Sequence, residues 1–176
     1  MRRFTAIAAA VLAAAPGMAQ AAESPCLTPA EFTSLATYAL PSVITGTTQR
    51  CSTALGPDAF LRRNGDRLAA SYSAGKASAW PGAKAAFLKI STSSNADANS
   101  LIRGMPDTSL QQMLDAAMAG MVGQKLPVER CPIVDSLVRL LAPLPPQNTA
   151  ELIALAVGLG SKAGERKMGA INLCKA

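Results

Sequence analysis

Helical periodicity constrains this chain more than any other feature, because strand-like alternation of polar and β-branched residues never lasts beyond a few positions. The clearest helical segment follows Pro106 and runs from Asp107 to Gly123. Alanine, the best helix former, is abundant along the whole chain. The sequence therefore predicts an all-α fold. In the clearest segment the apolar side chains recur at the spacing of one helix face: Leu110, Met113, Leu114, Ala117, Met118 and Met121.

Proline and glycine divide the rest of the chain into further predicted helices. The first has Thr28 as its N-cap, Pro29 in its first turn and Glu31 completing a capping box, and we expect it to end at Pro41. Together the segments predict a compact bundle of about six to eight short helices. The other predicted helices cover residues 43–55, 58–73, 80–90, 98–102, 132–142 and 148–159.

The last of these helices is unusual in being apolar nearly all round. Asn148, Thr149 and Glu151 fit a second capping box, and the residues from Leu152 to Leu159 carry no charge. A helix of this kind belongs in the centre of a bundle or at an interface.

Residues 1–21 have the pattern of a secretory signal peptide. Arg2 and Arg3 form a charged start, an apolar run follows from Phe4 to Ala15, and small residues precede the expected cleavage after Ala21. Cleavage after Ala22 is the near alternative. The apolar run is too short to span roughly 30 Å of hydrocarbon, so we expect no stable membrane anchor after cleavage. The product would be a soluble periplasmic or secreted protein, residues 22–176, forming a single α-helical domain. The serine-rich segment near 91–99 is the one candidate internal boundary.

Four cysteines follow the predicted cleavage site, and in an oxidising compartment an even number predicts two disulfides. No pair has the Cys-x-x-Cys spacing of a redox or zinc site. We expect Cys26 to pair with Cys51 and Cys131 with Cys174, because each pair brackets helices separated by a proline turn. Crossed pairing, such as Cys26 with Cys174, is the alternative.

The charged residues exclude several kinds of chemistry. The chain has no histidine, which rules out a Ser-His-Asp triad, a Cys-His pair and an imidazole metal ligand. Its formal net charge of +6 includes Arg2 and Arg3 of the predicted signal peptide. The remaining positive charge weakly favours anionic surfaces such as lipid headgroups or wall polymers. Nucleic acid is not an expected partner, because no aromatic residues interleave with the basic patches near the C-terminus.

Two patterns with a catalytic precedent are weak. Ser73 and Lys76 have the S-x-x-K spacing of penicillin-recognising enzymes, but the Ser-Asp-Asn and Lys-Thr-Gly motifs of those enzymes do not occur. A cell-wall hydrolase with a lone carboxylate acid would need Glu or Asp in an apolar cleft. Glu129 and Glu151 are the two candidates, although Glu151 is also explained as a cap and Glu129 adjoins Arg130.

The sequence therefore favours a non-enzymatic periplasmic binding or interaction module, with the hydrolase as the alternative. No cofactor or metal is expected. The partner would be an unidentified periplasmic protein or an apolar ligand. A narrower hypothesis is a carrier that holds an apolar ligand in a methionine-lined groove, since methionine adapts to varied shapes. The side chains predicted to line this groove are Met113, Met118, Met121, Leu155 and Leu159.

Overall fold

A computed structural model describes residues 26–92, 96–162 and 172–174, with side chains for 26–91, 100–158 and 173–174. The predicted signal peptide and part of the predicted boundary at 91–99 lie outside these residues. The described chain is all-α with two disulfides, as predicted. Its elements are β1 (Cys26–Leu27), α1 (Pro29–Cys51), α2 (Phe60–Ser73), α3 (Lys76–Thr92), α4 (Ala96–Gly104), α5 (Asp107–Lys125), a 3₁₀ turn (Val128–Arg130), α6 (Cys131–Leu141), α7 (Pro146–Lys162) and β2 (Asn172–Leu173).

Helix α1 begins as predicted but does not end where predicted. The Thr28 hydroxyl accepts a hydrogen bond from the Glu31 backbone N–H at 3.2 Å, and the Glu31 carboxylate accepts one from the Thr28 N–H at 2.7 Å. The helix then continues through Pro41, so the two helices predicted on either side of this residue are one helix of 23 residues. A proline inside a helix costs about 3 kcal/mol. Burial of the helix on several sides, including Tyr38 and Ile44, offsets that cost.

Helix α1 is the centre of the bundle, and α2, α3, α5 and α7 pack around it. Helix α7, predicted to lie at the centre of the bundle or at an interface, packs on α1 with one side and leaves Leu152 and Leu155 exposed on the other. It also begins at Pro146, two residues before its predicted start. The main core joins residues on both sides of the 91–99 segment, since Trp80 of α3 and Leu110 of α5 belong to one buried cluster.

Helix α2 is capped by a residue distant in sequence. The residue at the N-cap position is Ala59, which makes no side-chain hydrogen bond to the helix. The carboxylate of Asp135 in α6 accepts hydrogen bonds from the backbone N–H groups of Phe60 at 3.2 Å and Leu61 at 2.7 Å. The cap therefore also fixes α6 against the start of α2.

The predicted disulfide pairing is wrong. The structure joins Cys26 to Cys174 and Cys51 to Cys131, so one bridge is nested inside the other. The reason is the length of α1. Cys26 and Cys51 stand at opposite ends of a helix that spans about 35 Å, and no disulfide bridges that distance. Beside Cys26, the parallel strands β1 and β2 bring the C-terminal segment back to the start of the chain.

Candidate functional site

The residues predicted to form a methionine-lined groove have different environments. Met113 and Met118 are partly buried against the main core, whereas Met121 and Leu155 are exposed. The side chain of Leu159 lies outside the described residues. None of the four residues whose side chains are described lines either of the two clefts discussed below. The groove remains a prediction, and its members divide into core-packed and exposed side chains.

Because of this division, we expect the same substitution to have a large effect on stability at one methionine and a small effect at another. Met118→Asp should lower the free energy of unfolding by about 2–4 kcal/mol, because it places a carboxylate against the core. Met121→Asp, at a side chain that is 51% exposed, should change it by less than about 0.5 kcal/mol. Urea denaturation followed by circular dichroism measures both values. Equal losses from the two substitutions would contradict the placement of these side chains.

The S-x-x-K residues lie in a cleft of about 500 Å³ between α1, α2 and α5. Ser73 ends α2 and Lys76 begins α3, so the motif crosses a turn. The Ser73 hydroxyl donates to the Ala69 carbonyl at 2.9 Å. The Lys76 ammonium lies 2.6 Å from each carboxylate oxygen of Asp115 and 4.4 Å from the centre of the Tyr38 ring. The Ser73 hydroxyl and the Lys76 ammonium are therefore each engaged with other partners.

Two other lysines of α3 form ion pairs with carboxylates on neighbouring helices. The Lys84 ammonium lies 2.5 Å from Asp107 of α5, and the Lys89 ammonium lies 2.9 Å from Glu31 of α1. The Lys84 and Trp80 hydrogen bonds lower the pKa of Asp107, while the Thr28 N–H and then Lys89 lower the pKa of Glu31. A general acid of a glycosidase needs the opposite shift. These groups hold the bundle together as ion pairs.

Burial raises the pKa of the Tyr38 phenol, whose ring lies beneath the Lys76 ammonium. Desolvation, with a further contribution from the negative charge of Asp115, raises the pKa of Tyr38 to about 12. The phenol therefore stays neutral through the ordinary pH range. Its ring packs at a tilt against Trp80, with the ring centres 5.0 Å apart.

Neither carboxylate proposed for a hydrolase lies in an apolar cleft. Glu129 and Glu151 are both exposed, and neither lines the two clefts. Within the described residues, no three cysteine, aspartate or glutamate side chains are grouped so that they could hold a metal ion.

The outer face of α6 is the clearest candidate for recognition. Ile133, Leu137 and Leu140 are 70%, 53% and 71% exposed, although they are large and apolar. With Pro132 and Ser136 they occupy one side of the helix, which we call the α6 face. The opposite side carries Cys131, Val134 and Val138, which pack around the inner disulfide. The helix is thus apolar on two sides, and one of them has no partner among the described residues.

The α6 face lies at the basic end of the molecule. Residues 50–67 and 125–139, which surround the Cys51–Cys131 disulfide, contain seven basic and four acidic side chains. The remaining described side chains include four basic and four acidic groups. The excess positive charge of the described side chains is therefore confined to the end that carries the α6 face.

A second cleft, of about 380 Å³, connects this face to α2. Arg139 of α6 and Arg63 of α2 both contribute to its lining, together with Asn64 and the carboxylates of Asp58 and Asp135. Asp58 lies 3.4 Å from Arg63. No carboxylate of the described residues lies within 4.0 Å of the charged group of Arg139.

The α6 face was not among the sites predicted from the sequence, because the helix over residues 132–142 was predicted without assigning any of its apolar residues to an exposed side. A signal was present, since Ile133, Leu137 and Leu140 lie on a different side of the helix from Val134 and Val138. A single buried stripe accommodates only one of these sets.

The chain matches no protein-family model, no curated protein and no solved structure.

Proposed function

We propose that this protein is an exported, non-enzymatic binding module that recognises its partner through the α6 face. One observation carries the proposal: three large apolar side chains remain exposed on one helix that is packed on its other side. Contiguous exposed apolar surface on a soluble protein is typical of an interaction site. The ion pairs of α3 favour binding over catalysis, because they hold three carboxylates in structural contacts.

Export is supported by two features of the chain. Its first 21 residues follow the charged, apolar and small-residue order of a secretory signal. The two disulfides indicate an oxidising environment. Among the described residues, no helix is both long enough and apolar enough to cross a membrane. A periplasmic location is the simplest destination consistent with these features.

The test compares the wild type with a variant carrying Ile133→Gln, Leu137→Gln and Leu140→Gln. Glutamine is a good helix former, so we expect the free energy of unfolding to change by less than about 1 kcal/mol. We expect the variant to lose most of the binding of an apolar fluorescent probe that the wild type shows. The control is Leu101→Gln on α4, at a side chain that is 74% exposed. Probe binding that is equal in all three proteins would contradict the proposal.

Adding the variants Glu129→Gln, Glu151→Gln and Met121→Gln to this set separates the proposal from the hydrolase hypothesis. Each is incubated with purified peptidoglycan, and released soluble fragments are measured. We expect no release. Release that disappears in Glu129→Gln or Glu151→Gln would instead favour the wall hydrolase. Probe binding lost in Met121→Gln but kept in the α6 variant would favour the methionine-lined carrier.

A further inference from the structure

The geometry points to the surface of an anionic lipid bilayer as the partner of the α6 face. This inference rests on the proposed function and adds the class of partner. It combines two independent observations, the exposed apolar side chains of α6 and the excess of positive charge that the described side chains carry at the same end.

The apolar part of the argument concerns how a helix lies on a membrane. A peripheral helix inserts its apolar side chains into the boundary between headgroups and acyl chains, with basic residues beside them. In α6, Ile133, Leu137 and Leu140 form the exposed apolar row. Arg130 precedes the helix and Arg139 lies near its end, and both are exposed.

The charge argument distinguishes a membrane from other apolar partners. An anionic bilayer attracts basic side chains by about 1 kcal/mol each, and this attraction weakens with salt. Seven of the eleven described basic side chains belong to the segments around the Cys51–Cys131 disulfide. A second copy of this chain would bring two positively charged ends together, which the same electrostatics disfavours.

The cleft beside the α6 face gives the headgroup a place to bind. Arg63 and Arg139 both line it, and so does Asn64, whose amide already donates one hydrogen bond to the Phe60 carbonyl at 3.1 Å. Of its two carboxylates, Asp135 is engaged by the backbone N–H groups of Phe60 and Leu61. Asp58 is on the outer side, with a side chain that is 92% exposed. Because Arg139 adjoins Leu140 in the chain, a phosphate headgroup in this cleft would lie near the C-terminal end of the apolar row.

The experiment measures co-sedimentation of the full chain with phosphatidylcholine vesicles, with and without phosphatidylglycerol. We expect binding to the anionic vesicles only, decreasing at high salt. Leu140→Gln should weaken it about tenfold or more, and Arg139→Gln about fivefold. The matched controls are Leu101→Gln and Arg103→Gln on α4, which should bind like the wild type. The N-terminal segment is the same in every variant, so its contribution cancels.

Three results would overturn the inference. Binding that does not depend on phosphatidylglycerol removes the charge argument. Equal losses from the α4 and α6 substitutions remove the site. The third result combines two measurements: the protein does not bind vesicles, and sedimentation equilibrium shows a dimer that Leu140→Gln converts to monomer. That result would identify a second copy of the chain as the partner of the α6 face. The protein could fail to bind vesicles while the α6 variant still loses binding of the apolar probe. In that case only the lipid inference fails, and the proposed function stands.

Discussion

A variant carrying Cys51→Ala and Cys131→Ala should lose about 4–5 kcal/mol of unfolding free energy. The disulfide closes a loop with a sequence separation of 80, and constraining the unfolded chain over that length stabilises the fold by about 4.5 kcal/mol. Both cysteines are also fully buried in a cluster with Leu55 and Leu61, so their removal leaves space in the core. The total free energy of unfolding of a typical domain is only about 5–15 kcal/mol, so this loss is a large share of it.

Urea denaturation with the Cys26–Cys174 bridge intact measures this loss. The control is Ser52→Ala, an exposed neighbour of Cys51, which should change stability by less than about 0.5 kcal/mol. A loss of less than about 1 kcal/mol in the double variant would mean that the inner bridge does not form in the folded protein.

Substituting alanine for glycine should have opposite effects at two positions in the packed helices α1 and α5. A Cβ atom at Gly46 of α1 would lie 2.6 Å from the carbonyl oxygen and 2.9 Å from the Cα of Ala119 in α5. Backbone atoms cannot move aside by rotation of a side chain, so the helices must separate. We expect Gly46→Ala to cost about 1–3 kcal/mol.

The matched substitution is Gly120→Ala, one residue beyond the contact on α5. A Cβ there meets no atom within 4 Å. Alanine in place of glycine inside a helix should therefore add about 0.5–1 kcal/mol of stability. Thermal unfolding of the two variants checks the signs. Stabilisation by both substitutions would show that α1 and α5 do not approach closely at Gly46.

Features determined by neighbouring residues were predictable from the sequence. The capping box of Thr28 and Glu31 is complete within four residues, and the stripe from Leu110 to Met121 needs only the period of a helix. The all-α fold follows from such signals. Pro41 shows the limit of such local signals. A proline predicts the end of a helix, but burial against the surrounding helices lets α1 continue through Pro41 to Cys51.

Features determined by packing were not predictable from the sequence. Asp135 caps a helix that begins 75 residues before it, and nothing near either residue indicates the pairing. The predicted disulfide connectivity is wrong for the same reason, because the true pairing depends on the unbroken length of α1. The candidate site depends on which side of α6 meets α2, and periodicity alone does not identify the side left exposed.

The nested arrangement of the two bridges has a consequence for how the chain matures. Any chain that emerges N-terminus first presents Cys26 and Cys51 together, well before Cys131 and Cys174. Oxidation in order of appearance would join the first two cysteines, which is not the final pairing. Cys26 must either remain a thiol until the last residues arrive or exchange partners through a mixed disulfide. Where Cys26 and Cys51 are joined before α1 forms, the yield of correctly bonded protein should depend on a disulfide isomerase, and not only on an oxidant.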